Sequence, residues 1–109
     1  MKTINFRDGS TYTGQVKGNN FEGEGTYKYA NGASYEGSWL NSLRHGHGKY
    51  TYQNGEVYEG EFAANKKNGQ GTYKFEDGST FSGQYYNDKK HGYGTYEFSQ
   101  GDKYIGDYN

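Results

Sequence analysis

The side chains of this 109-residue chain that could do chemistry are histidines, carboxylates, lysines and a large set of aromatic rings. His45 and His47 stand two residues apart, and His91 repeats the place of His45 two of the chain's periods later. The chemistry they suggest is metal ligation. If two repeats are four strands, His45 and His91 are about 19 Å apart. An ion held at about 2 Å cannot bridge that gap, and no third ligand stands beside His45 and His47, so no metal is expected. The absence of cysteine excludes a thiolate zinc site, an iron–sulfur site and a disulfide scaffold. Glu36, Glu59, Glu61 and Glu97 have the chemistry of acid–base catalysts. They fall on the polar side of alternating segments, where nothing suggests a pocket to perturb them. No nucleophile–base pair stands out, and no glycine cluster precedes a helix as a phosphate cradle requires. No catalytic residue and no cofactor is expected.

Two sets remain as binding chemistry. Lys66, Lys67, Lys89, Lys90 and Arg44 fall at equivalent places and read as a basic ridge in the hairpin loops. Such a ridge attracts anionic phospholipid at about 1 kcal/mol per charge. It is diluted by Asp88, and Lys17 in the first loop is countered by Glu22. The second set is aromatic: fourteen Tyr, six Phe and one Trp.

The elements that position these residues come from an internal period. Tyr12, Tyr35, Tyr58, Phe81 and Tyr104 are spaced by 23 residues without insertion. With that aromatic as position 0, glycine recurs at +2, +11, +13 and +20, which accounts for every glycine but Gly18. Position +4 holds Val16, Trp39, Phe62, Tyr85 and Tyr108. Position +15 holds Tyr27, Tyr50, Tyr73 and Tyr96, and +17 holds Tyr29, Tyr52, Phe75 and Phe98. A fixed period of this length is the mark of a repeat architecture. It divides the chain into a partial repeat 1–11, full repeats 12–34, 35–57, 58–80 and 81–103, and a partial repeat 104–109.

Within each repeat the local period is two. Tyr58, Gly60 and Phe62 alternate with Glu59 and Glu61; Gly71, Tyr73 and Phe75 alternate with Thr72 and Lys74. Alternation over aromatic residues predicts half-buried strands, two per repeat. Pairing +4 with +13 sets Phe62 opposite Gly71, Gly60 opposite Tyr73 and Tyr58 opposite Phe75, so that rings lie over glycines; a slip of two residues, pairing glycine with glycine, is open too. Between repeats the loop must be odd in length, with a type I turn and a left-handed glycine at +20. The fold class is all-β: an elongated single-layer antiparallel meander of about ten short strands, roughly 45 Å long, aromatic on one face and polar on the other. Its two end strands are open edges that invite end-to-end self-association.

Composition narrows the rest. Twelve basic against thirteen acidic side chains leave no electrostatic footprint for nucleic acid. No apolar run reaches the about 20 residues of a membrane-spanning helix, and the segment Met1–Asp8 has no apolar signal core, so a cytoplasmic place is expected. A single-layer sheet of this composition has no conventional two-sided core, and exposed aromatic area marks an interaction site.

Tyr58-Glu59-Gly60-Glu61-Phe62, followed by Asn68-Gly69-Gln70-Gly71-Thr72-Tyr73-Lys74-Phe75 and Asp77-Gly78, resembles the MORN repeat (membrane occupation and recognition nexus). Tyr35-Glu36-Gly37-Ser38-Trp39 with Arg44-His45-Gly46-His47-Gly48 is equally close. The departures are Val16 at +4, Phe81 at position 0 and Gln100 before the turn glycine, and Val16 is expected to weaken the first repeat as a binding surface. The resemblance implies a non-enzymatic scaffold in cytoskeletal or ciliary assemblies. Its partner, an extended segment or an amphipathic helix, is expected to lie along the aromatic face on Tyr35, Trp39, Tyr58, Phe62, Phe81 and Tyr85. Phospholipid binding through Arg44, Lys66, Lys67, Lys89 and Lys90 is the alternative.

Overall fold

The computed structural model describes residues 1–108, with side chains through Gly106; the side chain of Tyr108, expected at +4, lies outside the described residues. Ten antiparallel strands form one sheet whose spatial order is the chain order. They are β1 (Lys2–Asn5), β2 (Thr11–Lys17), β3 (Asn20–Lys28), β4 (Ser34–Leu40), β5 (Leu43–Thr51), β6 (Val57–Ala63), β7 (Lys66–Lys74), β8 (Thr80–Tyr86), β9 (Lys89–Glu97) and β10 (Lys103–Tyr108). The dimensions, 46 × 23 × 19 Å, put the long axis across the strands, as ten strands about 4.8 Å apart require.

Two kinds of turn build the meander. The odd turn between repeats is as expected. The Tyr52 N–H donates to the Glu56 carbonyl at 2.7 Å and the Gly55 N–H to the Tyr52 carbonyl at 2.9 Å, with Gly55 at φ 93°. The side chain before the glycine braces the turn: Asn54 Oδ1 accepts the Glu56 N–H at 3.0 Å, and Asp8, Asn31 and Asp77 do the same in their repeats. Gln100, one methylene longer, makes no such bond.

The turn inside each repeat differs from expectation. It is a two-residue loop, not a long one. Asn41-Ser42, Ala64-Asn65 and Asn87-Asp88 all take positive φ between 49° and 73°, the type I′ geometry that matches strand twist. The following strand then runs for nine residues. Arg44, Lys66, Lys67, Lys89 and Lys90 are therefore strand residues, not loop residues.

The register is the glycine-on-glycine alternative. Gly60 faces Gly71 and Tyr58 faces Tyr73. The same holds where each full repeat meets the one after it, as where Gly48 faces Gly60 and Tyr50 faces Tyr58, whereas at the first boundary Gly14 faces Lys2. Glycines thus line up strand after strand. The reason is the position-0 ring, which leans along its own strand and covers the glycine pair instead of standing opposite a single glycine. A Cβ at Gly48 would lie within 2.4 Å of the Tyr35 ring and hydroxyl. Tyr58 closes the arrangement by donating its hydroxyl to the Glu61 carbonyl at 3.0 Å, as Tyr12 does to Gln15 and Tyr35 to Ser38. The two residues left over by this register are taken up in a bulge between Gly60 and Phe62. There Gly69, at φ 109°, turns the partner strand.

Candidate binding face

Two aromatic ladders run the length of the sheet. The inner ladder alternates position-0 and +4 rings: Tyr12, Trp39, Tyr35, Phe62, Tyr58, Tyr85, Phe81. Successive centroids are 5.1–5.8 Å apart and successive planes are within 5° of perpendicular. Each +4 ring is wedged edge-on between its own position-0 ring and that of the preceding repeat, the favoured arrangement for two quadrupoles. Every member is buried. Trp39 adds an Nε1–H bond to the Gly25 carbonyl at 3.1 Å.

The outer ladder alternates +15 and +17 rings: Tyr27, Tyr29, Tyr50, Tyr52, Tyr73, Phe75, Tyr96, Phe98. Centroids follow at 4.6–5.7 Å without a break. Its rings are half-buried, and Phe98 is exposed. The six residues named from sequence, Tyr35, Trp39, Tyr58, Phe62, Phe81 and Tyr85, all belong to the inner ladder. They form the floor. The aromatic area left exposed is supplied by the outer rings.

The basic residues divide between the two faces. Lys66 and Lys89, at +8, are exposed, one register step from the aromatic side, though Lys89 still lines the edge of a cavity beside Lys90. Arg44, Lys67 and Lys90, at +9, turn into the aromatic face, so the five charges do not form one ridge. Arg44 and Lys67 each occupy a box of four rings, their own position 0 and +15, the preceding +17 and the following +4, and Lys90 has the first three of these beside it. Lys67 Nζ lies 5.3–5.8 Å from the centroids of Tyr58, Tyr73, Tyr52 and Tyr85 and donates to the Tyr52 hydroxyl at 3.3 Å. Arg44 lies 5.1–5.9 Å over Tyr35, Tyr50 and Phe62 and donates to the Tyr29 hydroxyl at 2.7 Å and the Asn65 carbonyl at 2.8 Å. Lys90 lies 4.7 Å over Phe81, with Phe75 and Tyr96 beside it. In the first repeat the box holds Phe21, stacked on Tyr12 at 3.8 Å and 5° and meeting Trp39 edge-on. The +4 ring closes the preceding repeat's box, so Val16 falls at the partial repeat 1–11 and the first full repeat keeps a complete one.

Burial sets the protonation chemistry of this face. It pushes the Tyr35 hydroxyl up to about 12 and raises those of Tyr58 and Tyr85 further. Burial also lowers the Lys67 ammonium, with Asp88 pulling the other way. Glu56 is held below the usual carboxylate range by the Tyr73 hydroxyl at 2.7 Å and the Glu76 N–H at 3.1 Å.

The remaining sequence candidates do not converge. His47 pairs with Glu59 at 3.7 Å on the polar face. The His45 ring nitrogen accepts the Ala64 N–H at 3.4 Å, and His91 faces the Tyr86 ring. Among the described residues no group of three metal-ligating side chains forms.

Sequence reasoning named the basic +9 residues but set them in loops, and missed that they lie among the rings. Their signal was parity: +9 shares a face with +13 and +15 in a period-two strand. The lysine itself, usually a solvent-facing residue, hid it. No curated protein matches the chain. The family model described as MORN repeat matches residues 12–34, 35–57, 58–80 and 81–103, each match beginning on the position-0 ring that starts a new pair of ladder rungs, and on that match the chain belongs to the MORN-repeat family.

Proposed function

We propose that the chain is a non-enzymatic scaffold that holds a protein partner along its aromatic face. The observation that carries this reading is the outer ladder. Eight rings in unbroken succession, none fully buried, form a strip far longer than single scattered surface aromatics need. Tyrosine is also a favoured hot-spot residue, with little rotamer entropy to lose. The MORN repeat is a binding repeat, not a known enzyme family, which agrees with this reading. The inner ladder, Tyr35, Trp39, Tyr58, Phe62, Phe81 and Tyr85, acts as the rigid floor that fixes the outer rings. A cytoskeletal or ciliary assembly is the proposed setting, on family grounds.

The test is capture from cell extract by the purified chain and by a variant carrying Tyr29→Ser, Tyr52→Ser and Phe75→Ser. These rings are half-exposed, so the variant keeps its fold. A protein held at high salt by the parent and lost by the variant is the expected result. Equal capture by both would sink the reading.

A further inference from the structure

The boxes that hold Arg44, Lys67 and Lys90 do more than store three cations. Among the described residues neither Arg44 nor Lys67 has a carboxylate within ion-pair distance, whereas Lys17 meets Glu22, His47 meets Glu59 and Lys103 meets Glu97. Arg44 Nε is buried with no hydrogen-bond partner. Between the cations lie two open cavities. One, of about 270 Å³, separates Arg44 from Lys67 and is walled by Tyr50, Tyr52 and Phe62. The other, of about 450 Å³, separates Lys67 from Lys90 and is walled by Tyr73, Phe75 and Tyr85. Each cavity is aromatic on its sides and basic at both ends.

The spacing of the row selects an occupant. Successive +9 residues are one repeat apart, two strand spacings or about 9.6 Å. A polyproline II segment advances about 9.3 Å per turn of three residues, returning to the same face. An α-helix needs seven residues and about 10.5 Å to return to nearly the same face. A β-strand moved on by three residues turns its side chain away. We infer that the aromatic face recognises an extended, proline-containing acidic segment with a carboxylate at every third residue, which runs across the strands and seats its carboxylates between Arg44, Lys67 and Lys90.

The inference rests on the partner-binding reading above and narrows it. It also follows a known physical logic: polyproline II segments dock in aromatic-lined grooves with little conformational entropy to lose, and charge-assisted bonds fix register. A flat membrane is a poorer match, because the cations are sunk among rings and Lys66 is turned away from them. Asp88 stands at the rim of both cavities, its Oδ1 accepting the Lys67 N–H at 2.8 Å. Its charge opposes an acidic ligand.

The experiment titrates the full chain into a labelled nine-residue peptide, Glu-Pro-Pro three times over, at low salt, read by fluorescence anisotropy. The controls are the same residues with the three Glu adjacent, and a Gln version. The period-three peptide should bind at least about tenfold tighter than either, the scale of a lost charge-assisted contact. Lys67→Met, which keeps the box filled, should weaken it about tenfold. Lys66→Gln should change nothing, and Asp88→Asn, which keeps the acceptor, should tighten binding about twofold. Equal binding of the respaced peptide, or indifference to Lys67→Met, overturns the inference. So does absence of peptide binding, and so does binding of phosphatidylserine vesicles in its place. An extract protein lost with the Tyr29/Tyr52/Phe75 variant but retained by Lys67→Met would leave the partner-binding face standing and remove the acidic segment alone.

Discussion

The inner and outer ladders are made of the same residue types and differ in almost every physical respect. The inner rings meet edge-to-face and are closed from solvent, and their tyrosine hydroxyls at positions 12, 35 and 58 are spent on backbone carbonyls. The outer rings meet at tilted angles of 32–50°, keep exposed area, and direct hydroxyls at other side chains, such as Tyr29 to Arg44 and Tyr73 to Glu56. A sheet with one layer has no second layer to bury its side chains. This chain supplies its own by laying the position-0 rings over a glycine row, wedging the +4 rings between them and packing the outer ladder against both. The inner ladder is closed from solvent, and the outer one keeps the exposed area on which the proposed recognition depends.

The largest way to break this division is alkali. Tyr35, Tyr58 and Tyr85 in the inner ladder, with Tyr29, Tyr52 and Tyr73 in the outer, all ionise later folded than unfolded, chiefly through burial. Their contribution is fully present below the unfolded value near 10 and is lost as pH rises through the folded values. The sheet should therefore lose its circular dichroism cooperatively above about pH 11, together with the rise of phenolate absorbance. Phenolate appearing gradually in an intact sheet would mean the inner hydroxyls are reached by solvent.

Single substitutions separate the ladders more finely. Phe62→Ala removes a ring wedged between Tyr35 and Tyr58 and should cost about 3–5 kcal/mol in urea unfolding. Gly48→Ala drives a methyl into the Tyr35 ring and should cost about 3 kcal/mol. Tyr52→Ser, in the outer ladder, should cost about 1 kcal/mol while weakening partner capture. If Tyr52→Ser unfolds the chain as readily as Phe62→Ala, the outer ladder is core and the division fails.

The period, the two strands per repeat, the odd turn with its glycine and the aromatic face were all legible, because each depends on one residue type at one spacing. The register was not settled. Parity permits both Phe62 opposite Gly71 and Gly60 opposite Gly71, and the choice depends on how far the Tyr58 ring leans along its strand, a matter of packing. The two-residue loops were missed because Ala64-Asn65 lacks the glycine that usually announces positive φ. With the strands read too short, Lys67 was placed in solvent, when its alternation with Gly71 and Tyr73 already put it among the rings. The six inner-ladder residues were found as rings, but sequence could not say which of the two aromatic rows would be buried.

The boxes offer the smallest and most discriminating test. The first holds Phe21 and the third Lys67, within equivalent walls: Phe6, Tyr12, Tyr27 and Trp39 in one, Tyr52, Tyr58, Tyr73 and Tyr85 in the other. Since the first box closes with an apolar ring, the fold requires a filler at +9 and not a charge. A cation over rings contributes about 0.5–1 kcal/mol at a partly exposed site, and half-burial of the ammonium opposes it. A phenyl ring in its place gains aromatic packing on Tyr58 of about 0.5–1.5 kcal/mol with no charge to desolvate. Lys67→Phe should therefore stabilise the sheet by about 1 kcal/mol in urea unfolding while abolishing the preference for the period-three acidic peptide. Stability and recognition moving in opposite directions at one residue is what a spare charge predicts. If Lys67→Phe destabilises by as much as it weakens binding, the cation is a structural part of its box, and the row of three belongs to the fold, not to a partner.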